Sequence, residues 1–148
     1  MKKNKPLFLF LIIFALGFIL DLVSKFIIRS SSFTTTGHFV DISHILNYGS
    51  LWGLFSSLTF INIIFIIISV AALTAIYFFQ RKQPELSLSL GLMSAGVLGN
   101  LFDRIFHGAV FDFIDFHFWP VFNLADTFIV CGVILALIML IKEEFYAK

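Results

Sequence analysis

The segment FDFIDFHFWPVFNLAD, residues 111–126, carries three aspartates, Asp112, Asp115 and Asp126, in a chain that is otherwise strongly apolar. Two carboxylates that share a site cannot both ionise easily, so one keeps its proton near neutral pH. The ionised member can then take a proton from water, while the protonated member polarises a peptide carbonyl and later serves the leaving amine. Such a pair hydrolyses a peptide bond with no metal and no covalent intermediate, and it titrates as a unit. Asp112 and Asp126 are the candidate pair. In FNLAD, Asn123 reads as a helix N-cap and Asp126 as the third helical residue of a capping-box-like turn. Capping alone would need no second acid nearby. Asp112 is flanked by Val110, Phe111, Phe113 and Ile114, so its surroundings are oily unless it points into a wet cleft. The positive end of the helix dipole favours the ionised form of Asp126, and apolar company favours the proton on Asp112. Asp115 reads as a solvated loop acid.

Other chemistries find little support. No H-E-x-x-H occurs, and His38, His44, His107 and His117 are scattered through loops. A cluster of Asp112, His117 and Asp126 could in principle bind a metal, but the signal for it is weak. No G-x-S-x-G nucleophile motif and no Gly-rich phosphate loop is present. Neither a metal nor a cofactor is expected. The one cysteine, Cys131, lies in an apolar run and reads as a small buried hydrophobe.

The elements that must position these acids follow from composition. Of the 148 residues, 59% are hydrophobic and 13% charged, against roughly 25% charged in soluble domains. A formal net charge of +1 offers no basic surface for nucleic acid. Four segments reach the length of about 20 apolar residues that spans a bilayer: about 7–28, 58–79, 86–106 and 121–141. Pro6, Pro84 and Pro120 each fall just before or at the start of a span, where proline is tolerated. The expectation is one all-α membrane domain over 1–148, with four transmembrane helices and small β or loop elements outside the membrane. Strands are expected within FTTTGHFVDISHIL, residues 33–46, from its β-branched and aromatic content. Tyr48 and Trp52 stand where an interfacial aromatic belt would lie. The basic, apolar N-terminus reads as a retained helix, since no A-x-A-like cleavage site precedes a polar domain.

Lys2, Lys3 and Lys5 precede the first span, Arg81 and Lys82 follow the second, and Lys142 and Lys148 follow the fourth. The positive-inside rule puts those flanks, and both termini, on the cytoplasmic side. At about 1.5 Å per residue, Asp21 then lies roughly 24 Å up a core about 30 Å thick, and Asn100 and Asp103 roughly 22 and 27 Å up. Asp126 is about 8 Å below the outer surface. Polar groups from three helices meet at the outer boundary of the membrane. Asp21 and Lys25, spaced i,i+4, can neutralise one another. The adjacent Asp103 and Arg104 point in different directions and pair with other elements. Gly91, Ala95 and Gly99 form a small-residue stripe for close helix packing.

GNLFDRIFHGAVFDFIDF (99–116) followed by FNLAD (122–126) resembles the lipoprotein signal peptidases, the type II signal peptidases of bacteria. DLVSK (21–25) and NYGSLWGLF (47–55) look like that family's other signature segments, so the resemblance covers all four spans in order. It implies an aspartic endopeptidase of the bacterial cytoplasmic membrane whose active site faces outward. Its substrates would be prolipoproteins, cut just before a cysteine that already carries diacylglycerol. Membrane lipids would be its surroundings, and no obligate protein partner is implied. By motif the catalytic pair maps to Asp112 and Asp126. Asn100, Asp103, Arg104, Asn123 and Ala125 fall on family positions that bind substrate or support the dyad, as do Asp21, Lys25, Asn47 and Gly49. The pattern departs after N-x-G, where Ser50 and Leu51 precede Trp52, and in a short stretch between the two aspartates.

Two other classes fit four apolar spans. A small transporter would place an acid near the bilayer midplane, yet Glu85, Glu143 and Glu144 lie outside the spans. A non-catalytic scaffold would not require Asp112 and Asp126 together.

Overall fold

A computed structural model describes residues 5–31, 37, 39–49 and 58–146. The elements run α1 (Lys5–Ser30), β1 (Asp41–Asn47), α2 (Leu58–Lys82), a short 3₁₀ turn (Pro84–Leu86), α3 (Ser87–His107), β2 (Val110–Asp115) and α4 (Leu124–Tyr146). Four helices are long and apolar enough to cross a membrane. The expected residues 33–36, 38 and 50–56, including Trp52, lie outside the described residues, as do Lys2, Lys3 and Lys148.

α3 is the central helix. Its most apolar window is 61% buried inside the protein, against 11%, 6% and 11% for α1, α2 and α4. It packs on all three others. The buried side of α3 is small and polar (Ser87, Ser89, Ser94, Ala95 and Asn100), while the large aliphatic and aromatic side chains of α1, α2 and α4 mostly face outward. Lipid removes the hydrophobic drive between helices, so close contact of small residues and interhelical hydrogen bonds hold them together. The expected stripe does this: Gly91 lies against the Phe10 carbonyl and Ile13 of α1, and Ala95 lies against Gly17.

Outside the helices, β1 and β2 pair antiparallel, with Asp41 opposite Asp115 and Asn47 opposite Val110. Between the Ile42–Ile114 and Ile45–Asp112 pairs, β1 spends three residues where β2 spends two, a bulge of one residue. Bulges of this kind re-aim side chains next to active sites. Gly108, at φ 75°, ends α3 in the left-handed conformation and turns the chain into β2.

Three sequence expectations are corrected. Asp112 is on a strand that lies outside the 33–46 stretch where strands are expected; Val110, Phe111, Asp112 and Phe113 are all buried, so β2 lacks the alternation that marks a half-exposed strand. The last helix begins at Leu124 rather than 121, and Pro120 does not start it. Phe122 instead exchanges backbone hydrogen bonds with Ile114, extending the sheet by one bridge. Cys131 is exposed on the outer side of α4, not buried.

Candidate active site

The N-terminus of α4 organises the site. A helix start leaves backbone N–H groups unpaired, and side chains supply the acceptors here. Asn123 Oδ1 accepts from the Asp126 N–H at 3.0 Å, and Asp126 Oδ2 accepts from the Asn123 N–H at 3.3 Å. This is the reciprocal capping turn expected from FNLAD. Asp21, fully buried on α1, reaches across to accept the Ala125 N–H at 2.9 Å. Ala125 is itself fully buried.

Two asparagines link the carboxylates. Asn100 Nδ2 donates to Asp126 Oδ1 at 2.7 Å, and Asn123 Nδ2 donates to Asp112 Oδ1 at 2.7 Å. The two amides also meet, Asn123 Nδ2 lying 3.1 Å from Asn100 Oδ1. Asn123 therefore touches both acids, Asp112 through its side chain and Asp126 through its backbone. From β1, Asn47 Nδ2 donates to Asp112 Oδ2 at 2.9 Å, and Asn47 Oδ1 accepts the Gly49 N–H at 2.8 Å. The Gly49 bond fixes which face of the Asn47 amide turns to the acid.

Asp112 is almost fully buried. Burial, the foremost cause, pushes its carboxyl up from 3.8 to about 6, and the charge of Asp126 adds to this. Hydrogen bonds from Asn47 and Asn123 and the charge of Lys25 pull the other way. Net, Asp112 holds its proton more tightly than an ordinary aspartate.

An ionic cluster next to the pair ties α1, α3 and β2 together. Lys25 bridges Asp21 at 2.7 Å and Asp103 at 3.0 Å, and its ammonium reaches Asn100 Oδ1 at 3.5 Å. Asp103 also receives Arg29 at 3.1 Å, His107 at 3.1 Å and the Phe111 N–H at 3.1 Å. The Phe111 contact docks β2 on α3, one residue before Asp112. Arg104 points elsewhere: its guanidinium lies over the Phe65 ring of α2, 4.7 Å from the centroid, with Nη1 3.3 Å from the Asn100 carbonyl. It stays within electrostatic reach of Asp126 and Asp112.

Asp21, Lys25, Asn47, Gly49, Asn100, Asp103, Arg104, Asp112, Asn123, Ala125 and Asp126 thus join one connected arrangement. Asp115 stays out of it, as expected. His117 stands 3.7 Å from Asp41 and 3.9 Å from Asp115, away from the two candidate acids. Sequence reading missed Arg29, His107, Phe65 and the Phe111 amide. The i,i+4 spacing of Asp103 and His107 was the available signal for one of them.

Gly99 faces the Asp21 carboxylate so closely that any Cβ would collide with it. Gly99→Ala is therefore expected to push Asp21 off the Ala125 amide. The expected results are a loss of about 1–3 kcal/mol, read by thermal unfolding in detergent, and at least a tenfold fall in activity.

Four membrane-length helices, with buried carboxylates and amides gathered at one end, define a membrane-embedded enzyme site. Comparison with known proteins gives the particular family. The signal peptidase (SPase) II family profile matches residues 13–142. A lipoprotein signal peptidase of Syntrophomonas wolfei is 40% identical over 136 residues, covering 88% of this chain and 91% of its own. One from Moorella thermoacetica is 38% identical over 132 residues, covering 85% and 88%. A bacterial membrane enzyme solved by the in meso method at 2.3 Å superposes with a TM-score of 0.81 at 34% identity, covering 94% of this chain and 91% of that one. The chain belongs to the signal peptidase II family and is a multi-pass bacterial membrane aspartic endopeptidase.

Proposed function

We propose that this protein removes the signal peptide from diacylglyceryl-modified prolipoproteins just before the lipidated cysteine, with Asp112 and Asp126 as its catalytic dyad. The observation that carries this reading is Asn123, which binds both acids at the start of α4. Asp126, at the positive end of the helix, is the ionised member that takes a proton from water. Asp112, with its raised proton affinity, donates to the peptide carbonyl. As the tetrahedral intermediate collapses, a proton passes to the leaving amine, and Asn100 and Asn123 hold both carboxyls in place throughout. Arg104 is available to orient the substrate backbone. Lys5, Arg81, Lys82 and Lys142 mark the cytoplasmic ends of the helices, so the dyad faces outward. A lipid-anchored substrate presents its cut site at that level.

The direct test gives the purified protein a diacylglyceryl-modified precursor and its unlipidated counterpart in detergent. Cleavage of the first and not the second is expected; no cleavage of the lipidated precursor would sink the proposal.

The dyad needs Asp112 protonated, so activity is present below its pKa and lost as pH rises through it. The alkaline limb of kcat/KM, which reports the free enzyme, is expected near pH 6. The Asn47 hydrogen bond favours the ionised form, and removing it raises the proton affinity further. Asn47→Ala should therefore move the alkaline limb to higher pH, as a pH series of initial rates would reveal. A limb that stays put or moves lower would contradict the assigned role.

A further inference from the structure

α2 carries none of the acids or amides of the dyad network, yet two of its side chains hold Arg104. Asn62 Nδ2 donates to the Arg104 carbonyl at 3.1 Å, near the end of α3. Phe65 lies under the Arg104 guanidinium, 4.7 Å from the ring centroid. Residues three apart share a helix face, so the two contacts are made side by side. The edge of the same ring meets a third element. Gly49 follows β1 in the left-handed conformation, at φ 78°, and a Cβ built there would collide with Cε2 and Cδ2 of Phe65. The bare Gly49 backbone leaves the space that the ring fills.

Phe65 therefore closes a path between the two acids that does not pass through Asn123. From Asp112 the path runs to Asn47 at 2.9 Å, and from Asn47 to the Gly49 N–H at 2.8 Å. It crosses the Phe65 ring to Arg104. From Arg104 it reaches the Asn100 carbonyl at 3.3 Å, and Asn100 Nδ2 donates to Asp126 at 2.7 Å. Among the described residues, the Asn100 carbonyl is the only hydrogen-bond partner of the guanidinium, and none of the ion pairs includes it. A carboxylate partner would occupy the guanidinium donors in a bidentate pair. A ring face attracts the cation and leaves those donors free.

We infer that Phe65 is a positioning residue for the hydrolysis. One ring holds Arg104 in place for the substrate backbone and braces the Gly49 turn that aims Asn47 at Asp112. The inference rests on the proposed dyad and on the proposed role of Arg104.

The Asp126→Asn protein, which holds substrate without turnover, gives the first readout. Binding of a fluorescent diacylglyceryl-modified precursor would be measured in detergent with Phe65→Leu, Arg104→Gln and both together. Leucine keeps an apolar side chain without a π face, and Phe65 is only half-buried, so the unfolding midpoint should change little. Each single substitution is expected to weaken binding at least about fivefold. The double variant should bind no worse than Arg104→Gln alone, because Phe65 acts through Arg104. Losses that multiply, or unchanged binding in Phe65→Leu, would overturn the inference. The second readout is the alkaline limb of kcat/KM in the otherwise unmutated enzyme. Phe65→Leu should move it to higher pH, the direction expected for Asn47→Ala, since a slack Gly49 turn weakens the Asn47 bond to Asp112. Asp126 and Lys25, the other charges acting on Asp112, are untouched by the change, and a slack Arg104 that withdraws positive charge moves the limb the same way. A merely structural role would lower the rate at every pH and leave the limb in place, which would also overturn the inference. If Phe65→Leu does not fold, Phe65→Met carries the same expectations. Failure of the unmutated enzyme to cleave the precursor at all would count against the proposed function instead.

Discussion

Asp112→Asn and Asp126→Asn are each expected to lower cleavage of a lipidated precursor by about 10³-fold or more, since each removes a group that both gives and takes a proton. Neither should unfold the protein. Asparagine keeps the shape of aspartate and one acceptor oxygen, so Asp112→Asn can still accept from Asn123 Nδ2. Its new Nδ2 then faces the Asn47 Nδ2 donor, a mismatch that costs about 1–3 kcal/mol, against which the removal of a buried acid is a partial offset. Asp126→Asn gives up negative charge in the first turn of α4, which costs about 0.3–1 kcal/mol, and turns an amide donor toward Asn100 Nδ2 or the Asn123 N–H. Its capping partner Asn123 remains in place. Initial rates and unfolding midpoints in the same detergent separate the two effects. Retention of more than about a tenth of the activity by either variant would remove that residue from the dyad, since a proton-transfer group contributes at least about 10²-fold.

The largest loss of stability is expected at Asp103, not at the dyad. Its carboxylate is buried and accepts from Lys25, Arg29, His107 and the Phe111 N–H. Asp103→Ala strips all four at once. Lys25 keeps Asp21 as a partner, but the Phe111 N–H and part of the Arg29 charge lose theirs. Breaking a buried pair from one side costs about 3–5 kcal/mol, and the unpaired amide adds to it. β2 would then lose its anchor on α3, and Asp112, one residue beyond Phe111, would move with it. Activity should therefore fall together with stability. Adding Lys25→Met should deepen the loss, because the buried Asp21 carboxylate would then be without its 2.7 Å ion partner. A loss below about 1 kcal/mol for Asp103→Ala would show that the cluster does not hold β2 in place.

The spans were legible in the sequence because a bilayer demands long apolar runs, and these end close to where the helices end. The capping turn of Asn123 and Asp126 was legible because it is local, closed within four residues. What escaped was contact between distant elements and strands without alternation. β2 is buried on both faces at Val110 to Phe113, so its sequence reads as a featureless oily loop. Val121 and Phe122 are apolar enough to extend a helix on paper, yet Phe122 is drawn into the sheet by Ile114. Arg29 reaches Asp103 across 74 residues of chain, and no spacing rule announces such a pair. Asp21 could be matched to Lys25 by spacing, but its cap on α4 could not be seen. Cys131 was misjudged because in lipid an apolar residue is as content outside the bundle as inside it.

The most direct measurement is the intact mass of both products after the purified enzyme acts on a diacylglyceryl-modified precursor, with the two Asp→Asn proteins run alongside. The account expects one cut, giving a free signal peptide and a mature chain that begins at the lipidated cysteine, with both variants leaving the precursor whole. A cut at any other bond, or the same products from either variant, would contradict it.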